Sequence, residues 1–272
     1  MKRTMTSLVA RLFRNSKGKP AHAQGIEWET LNDEAMSLYR QGRYDRALLV
    51  ANKALQVAEL AFGPDHTNVA TSLNNLALIY DSQGQYALAE PLYKRSLAIY
   101  EKILGPDHPD VATSLNNIAG LYRTQGQYAQ AELLYKRSLA IREKALGPVH
   151  PDVAMSLNNI AALYRTQDRY AQAEPLYKRA LAIYEKALGP VHPDVAVTLN
   201  SLAALYRTQD RYAQAEPIYK RSLAIYEKAL GPDHPYVAMS LENMAALYRK
   251  TGREKEAEAL EKRAADIRAI TR

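Results

Sequence analysis

The sequence predicts an all-α solenoid built from about six helix-turn-helix repeats, with no sheet. Three observations carry this. A Gly-Pro-x-His segment recurs at Gly63, Gly105, Gly147, Gly189 and Gly231, each 42 residues after the last. Between these segments apolar residues recur at helical spacing, in two runs per unit. No stretch alternates apolar and polar residues with a period of two, which is what a half-buried strand requires. The repeat is close to literal: segments 166–193 and 208–235 differ at three of 28 positions. Such a fixed period signals a stack of identical supersecondary units, each burying its apolar face against its neighbours.

The unit at 109–147 shows how each element is specified. Pro109 suits a first helical position, where the missing N–H costs nothing. Val111, Leu115, Ile118, Ala119 and Tyr122 then form one helical stripe. Gln125-Gly126-Gln127 interrupts it. Tyr128, Ala131, Leu134, Tyr135, Ser138, Leu139 and Leu146 make a second stripe, which Gly147-Pro148 ends. The second helix should run for roughly 18 residues, about 27 Å. Pro91, Pro175 and Pro217 fall inside three of these second helices and remove one backbone donor each; the third unit has Leu133 there, so the proline is tolerated, not required.

The expected layout is a basic segment at 1–26, disordered or amphipathic, and a solenoid at 27–272. The repeats lie at about 28–66, 67–108, 109–150, 151–192, 193–234 and 235–272. The outer repeats depart from the pattern, with Leu38 and Ala51 in the first and Glu254 and Glu261 in the last at positions where inner repeats carry tyrosine. A terminal repeat has a face without a neighbour, so polar substitution there is expected of a cap.

Several classes of function are excluded or disfavoured by composition. Cysteine is absent, which removes disulfides, thiolate metal ligands and thiol catalysis. No apolar run approaches the roughly 18–20 residues of a spanning helix. Of the net charge of +7, +6 belongs to the first 19 residues, where Lys2, Arg3, Arg11, Arg14, Lys17 and Lys19 stand without an acid, and the rest of the chain carries +1. Bulk charge therefore does not argue for nucleic acid. His66, His108, His150, His192 and His234 are spaced like a motif, but they sit in linkers without a clustered second ligand, so a turn or helix-cap role is expected and no metal. No Gly-rich phosphate loop and no nucleophile set occurs, so no catalytic residue and no cofactor is expected.

The residues of the third unit, Leu115, Ile118, Ala119, Tyr122, Gly126, Tyr128, Ala131, Tyr135 and Ser138, resemble the tetratricopeptide repeat, with its large–large–small–aromatic first helix and small–aromatic–small second helix. The linker at 104–112 and Ser-Leu-Asn-Asn-Ile-Ala at 114–119 resemble the kinesin light chain variety, whose unit is longer than the usual one. The resemblance covers about 28–272. It implies a right-handed superhelix with the first helices on its concave face, and a protein or peptide ligand there.

On that face the residues opposite the core fall into columns. Asn74, Asn116, Asn158 and Asn200 form one, with Glu242 departing; Asn75, Asn117, Asn159 and Asn243 form the next, with Ser201 departing. Arg123, Arg165, Arg207 and Arg249 form a third, with Asp81 departing. Leu78, Gly120, Ala162, Ala204 and Ala246 supply a mostly small floor. Asparagine offers donors and an acceptor to an extended backbone, and arginine a forked donor to carboxylates. These residues are expected to bind an extended, acidic peptide without catalysis and with no small-molecule substrate. Asparagine columns can instead hydrogen-bond to one another and hold the stack. The rival functions are a self-assembling structural array and RNA or membrane binding through residues 1–19, where Met5, Leu8, Val9, Leu12 and Phe13 share one helical face. The Lys-Arg pairs at 94–95, 136–137, 178–179 and 220–221 lie near Glu90, Glu132, Glu174 and Glu216 and are expected to be a compensated, solvated face. A cytoplasmic location is expected, with export as the alternative because Ala21-His22-Ala23 has the form of a cleavage site without the apolar stretch before it.

Overall fold

The computed structural model describes residues 21–270, which form twelve helices and, among the described residues, no strand. They are α1 Ala21–Arg40, α2 Tyr44–Phe62, α3 Thr67–Ser82, α4 Tyr86–Leu104, α5 Pro109–Thr124, α6 Tyr128–Leu146, α7 Pro151–Thr166, α8 Tyr170–Leu188, α9 Pro193–Thr208, α10 Tyr212–Leu230, α11 Pro235–Lys250 and α12 Glu254–Ile270. Odd-numbered helices are the first helices of the repeats, and even-numbered ones the second. The expected basic face at residues 1–19 lies outside the described residues. Helix α1 begins at Ala21, so the helical array reaches back into the stretch expected to belong to the basic segment.

The chain divides into two compact units, one ending at Ile141 and the other beginning at Arg142, inside α6. In the first unit α1 packs on α2, α2 on α3, α3 on α4 and α4 on α5; in the second the same succession runs from α7 to α12. Consecutive first helices also meet: α3 with α5, α7 with α9, and α9 with α11.

Helix boundaries follow from local chemistry. The five linker histidines are N-caps. His66, His108, His150, His192 and His234 take extended backbone, and each Nδ1 accepts a hydrogen bond from the backbone N–H two residues on, at 3.1–3.2 Å. One of the orphan amides of each first turn is thereby satisfied. In four of the five a proline follows at the first helical position. The second helices stop at a glycine in the left-handed half of the backbone map, as at Gly147, where φ is 86°. The turn inside each repeat needs a positive φ as well. Gly42, Gly84 and Gly126 supply it in the first unit, and Asp168 (φ 57°), Asp210 (φ 56°) and Gly252 in the second, aspartate being one of the few other residues that tolerates this region. Helices α4, α8 and α10 continue unbroken through Pro91, Pro175 and Pro217.

The core runs along the seam between helix pairs. Val111, Leu115, Ala119 and Leu121 of α5 are fully buried, as are Val153, Leu157, Ala161 and Leu163 of α7. Buried serines tie the second helix to the first of its own repeat: Ser96, Ser138 and Ser222 donate to the carbonyls of Ala70, Ala112 and Ala196 at 2.8, 2.7 and 2.8 Å. One large cation lies in this core. Arg142 is 1% exposed where Tyr100, Tyr184 and Tyr226 stand in equivalent repeats; its Nη1 donates to Ser156 Oγ at 2.8 Å and to the Asp152 carbonyl at 3.4 Å.

Candidate functional site

The first-helix face carries the residues the sequence singled out. Asn74, Asn75, Asn116, Asn117, Asn158, Asn159 and Asn243 are half-buried, Asn200 is buried, Arg123, Arg165 and Arg207 are half-buried, and Arg249 is exposed. Core packing on one side of each first helix dictates this. With Leu157, Ile160, Ala161 and Tyr164 turned inward, helical periodicity leaves Met155, Asn158, Asn159, Ala162 and Arg165 on the other side.

The asparagine columns bond to each other. Asn75 Nδ2 donates to Asn32 Oδ1 at 2.9 Å, Asn117 to Asn74 at 3.0 Å, and Asn243 to Asn200 at 3.3 Å. Each step joins one first helix to the next, so part of the amide capacity expected to face a ligand is spent on the stack. Asn32, which the column reading missed, is the first acceptor of the ladder. The ladder breaks in the second unit. Position 201 is serine, and its hydroxyl donates to the Val197 carbonyl of its own helix at 3.0 Å. Asn158 Nδ2 turns instead to Thr198 Oγ at 2.7 Å, and Asn158 Oδ1 is left buried without a hydrogen-bond partner. Thr198 gives its own proton to the Asp194 carbonyl, which fixes the direction of the Asn158 bond.

The four arginines are not equivalent. Arg123 faces Asp81, whose carboxyl is raised by burial and pulled down by the Arg123 charge. Arg249 is clasped by two carboxylates. Its Nε and Nη2 donate to the two oxygens of Glu261 at 2.9 and 2.7 Å, and its Nη1 to Glu254 at 2.6 Å. Among the described residues Arg165 and Arg207 form no ion pair, and Arg165 Nε is buried without a hydrogen-bond partner. Their charge reaches Tyr219, a fully buried side chain whose hydroxyl has no partner and whose titration is pushed up by burial. The register of the arginine column is readable from the repeat, whereas its occupancy depends on which acids stand near each arginine. Glu254 and Glu261 were legible only as cap-like polarity, although they stand five and twelve residues after Arg249, within reach of its fork.

On the second-helix face the Lys-Arg pairs are compensated. Arg95 pairs with Glu59, Arg137 with Glu101, Arg179 with Glu143, Arg221 with Glu185 and Arg263 with Glu227, all at 2.6–2.8 Å. Lys94, Lys136, Lys178 and Lys220 reach the glutamates four residues earlier at 2.7 Å. In the second unit Glu174 also takes Arg211 at 2.6 Å and Tyr206 at 2.9 Å, and Glu216 takes Arg253 at 2.9 Å and Tyr248 at 3.2 Å. The Arg211 hydrogen bond leads in holding Glu174 down to about 2, and the Lys220 hydrogen bond leads in holding Glu216 down to about 2. The lysine–arginine pairs are thus committed to protein carboxylates. Among the described residues no helix is long and apolar enough to cross a membrane.

The tetratricopeptide repeat pattern matches residues 29–102, 82–144, 134–186, 152–228 and 194–269, and the chain belongs to the tetratricopeptide repeat family. Repeats of this family serve generally as non-catalytic scaffolds for protein–protein interaction. Solved structures agree with the kinesin light chain-like character of the unit. BtubC (BKLC) from P. vanneervenii is 25% identical, with a TM-score of 0.65, over 86% of this chain and 91% of that one. A putative kinesin light chain from Podosopora anserina with nearly identical TPR-like repeats is 28% identical, with a TM-score of 0.61, over 76% of this chain and 98% of that one. A Rap protein complexed with competence and sporulation factor shares the fold at 16% identity, with a TM-score of 0.66, over 98% of this chain and 80% of that one. No curated protein matches the chain.

Proposed function

We propose that the protein is a non-catalytic scaffold that takes an extended acidic peptide on its first-helix face. The observation that carries this reading is the pair Arg165 and Arg207. They stand at equivalent positions of neighbouring first helices and lack carboxylate partners among the described residues, while nearly every other arginine discussed above is paired. A half-buried guanidinium without an ion pair among the described residues is a forked donor for an external carboxylate. Ala162 and Ala204 leave room beside these groups for ligand side chains, and the amide edges not spent on the ladder can meet a peptide backbone. A cytoplasmic location goes with this reading, and cell fractionation tests it.

Peptide display against the full chain tests the ligand class. Selection on the native protein should enrich sequences sharing acidic residues, and changing Arg123, Arg165 and Arg207 together to Glu should abolish that enrichment. Enrichment of motifs without acids, or of the same motif by the charge-reversed variant, would refute the reading. Light scattering on the full chain over a concentration series separates a monomeric binder from a self-assembling array.

A further inference from the structure

We infer that the chain's own basic segment, residues 2–19, docks on the outer side of α1, where a preceding second helix would sit, and that its charge is met there by the acids of α1. This is independent of the acidic-peptide reading, and it gives the basic segment a partner other than a membrane or a nucleic acid.

The outer side of α1 is a helix face without a neighbour among the described residues. Helices α3, α5, α9 and α11 each pack on the second helix before them. The positions that make this contact are Val69, Ser72 and Leu76 in α3 and Val111, Ser114 and Ile118 in α5, and all six are buried. One step of 42 residues earlier, α1 carries Glu27, Thr30 and Glu34. Thr30 and Glu34 are exposed and Glu27 is half-buried. Asp33 falls at the register of Asn75 and Asn117, which reach back to Asn32 and Asn74 of the repeat before, and it too is exposed. Asp33 and Glu34 form no ion pair among the described residues. The last repeat treats its end differently. Its polar replacements pair within the chain, Glu261 with Arg249 and Arg268 with Glu242.

The segment that leads into α1 has the complementary chemistry. Residues 1–19 hold six cations and no acid, whereas 21–39 hold Glu27, Glu29, Asp33 and Glu34 and neither lysine nor arginine. Opposite charges carried on adjoining stretches favour their contact. The repeat supplies a second, independent argument. Forty-two residues before α2 lie residues 2–20, so Met5, Leu8, Val9, Leu12 and Phe13 stand at the register of Ala47, Val50, Ala51, Ala54 and Leu55. In α2 those five positions form the inward side, three of them buried and two partly so. The segment thus keeps the apolar stripe of a second helix. Gly18 and Pro20 stand just before α1, and such residues stop one helix and start the next. The sixteen residues from 2 to 17 would span about 24 Å as a helix, within the roughly 30 Å of α1.

Photo-cross-linking within the full chain tests the docking. With p-benzoylphenylalanine in place of Phe13, irradiation should give adducts on residues 26–38 at the mass of a single chain, read by mass spectrometry. They should persist when vesicles of phosphatidylserine and phosphatidylcholine are present. Asp33→Lys combined with Glu34→Lys should lower the yield about tenfold, the scale of replacing attraction by like-charge contact. Adding Arg11→Glu and Arg14→Glu should restore it. Both α1 positions are exposed, and circular dichroism melts check that each variant is folded. Adducts on other helices, adducts only between two chains, or no adduct would overturn the docking. So would transfer of the cross-link to lipid, a yield indifferent to the lysine pair, or a loss that the glutamate pair does not repair.

Discussion

Single residues decide where this repeat array departs from its own pattern, and two departures have measurable consequences. Arg142 occupies a tyrosine position in the core. Burial lowers its tendency to hold a proton, with the Asp152 charge opposing that effect. Replacing a buried charge by a well-packed residue of similar size is neutral or stabilising, and Tyr100, Tyr184 and Tyr226 show which residue fits. Arg142→Tyr should therefore leave stability unchanged or raise it by about 1–3 kcal/mol in urea unfolding. A loss of more than about 1 kcal/mol would mean that the cation organises α7 through Ser156 and the Asp152 carbonyl in a way that the tyrosines do not need. Ser201 is the second departure. Ser201→Asn would restore the ladder donor that Asn158 Oδ1 lacks and should add about 0.5–1.5 kcal/mol, the net worth of one hydrogen bond. A variant no more stable than wild type would contradict the ladder as a source of stability. The asparagine columns were visible in the sequence as columns. Whether they meet each other or a ligand was not, because repetition alone produces both patterns, and only side-chain distances separate them.

At the level of the element, helix starts and stops were legible nearly residue by residue. Gly-Pro-x-His-Pro packs a stop, a cap and a first helical proline into five positions, so the chemistry of the boundary is local and readable. The cap gives a prediction of its own. His150→Ala should cost about 1 kcal/mol, with His150→Asp restoring most of it, since either side chain can accept from the Asp152 amide. Equal stability of the alanine and aspartate variants would show that the cap contributes nothing. The second-helix face yields a pH dependence. Glu174 and Glu216 titrate at about 2 in the folded chain. An unfolded glutamate titrates near ~4.3. Because the folded value is depressed, their contribution to stability is complete above the unfolded value and is lost as pH falls from about 4.3 toward 2. Urea midpoints measured from pH 6 down to pH 3 should fall, and the fall should be smaller in Glu174→Gln combined with Glu216→Gln. A midpoint drop of the same size in that variant would place the acid sensitivity elsewhere. The carboxylates were named in the sequence as neighbours of lysines; their pairing with Arg211 and Arg253 across to the next repeat was not, since it depends on how successive repeats stack.

Across the whole chain one unit recurs at a fixed step of 42 residues, which is why its fold was legible while its ligand was not. A repeat must satisfy its neighbours, and that demand is written at every repeat: Leu157 and Ala161 inward, a histidine cap, a left-handed stop. A ligand demands only that some surface groups remain unsatisfied, and that is a property of the pairs that do not form. Arg165 and Arg207 look the same as Arg123 and Arg249 in the sequence. They differ because Asp81 stands across from the first of the four and Glu254 and Glu261 close on the last. The measurement that bears most directly on the proposed function is photo-cross-linking of a display-selected acidic peptide, carrying a benzophenone side chain, to the full chain, with the cross-linked segments identified by mass spectrometry. The expected adducts fall on residues 151–166 and 193–208, the first helices that carry Arg165 and Arg207, and disappear when both arginines are changed to glutamine. Adducts confined to the second helices or to residues 1–19 would contradict a ligand face built from the first helices.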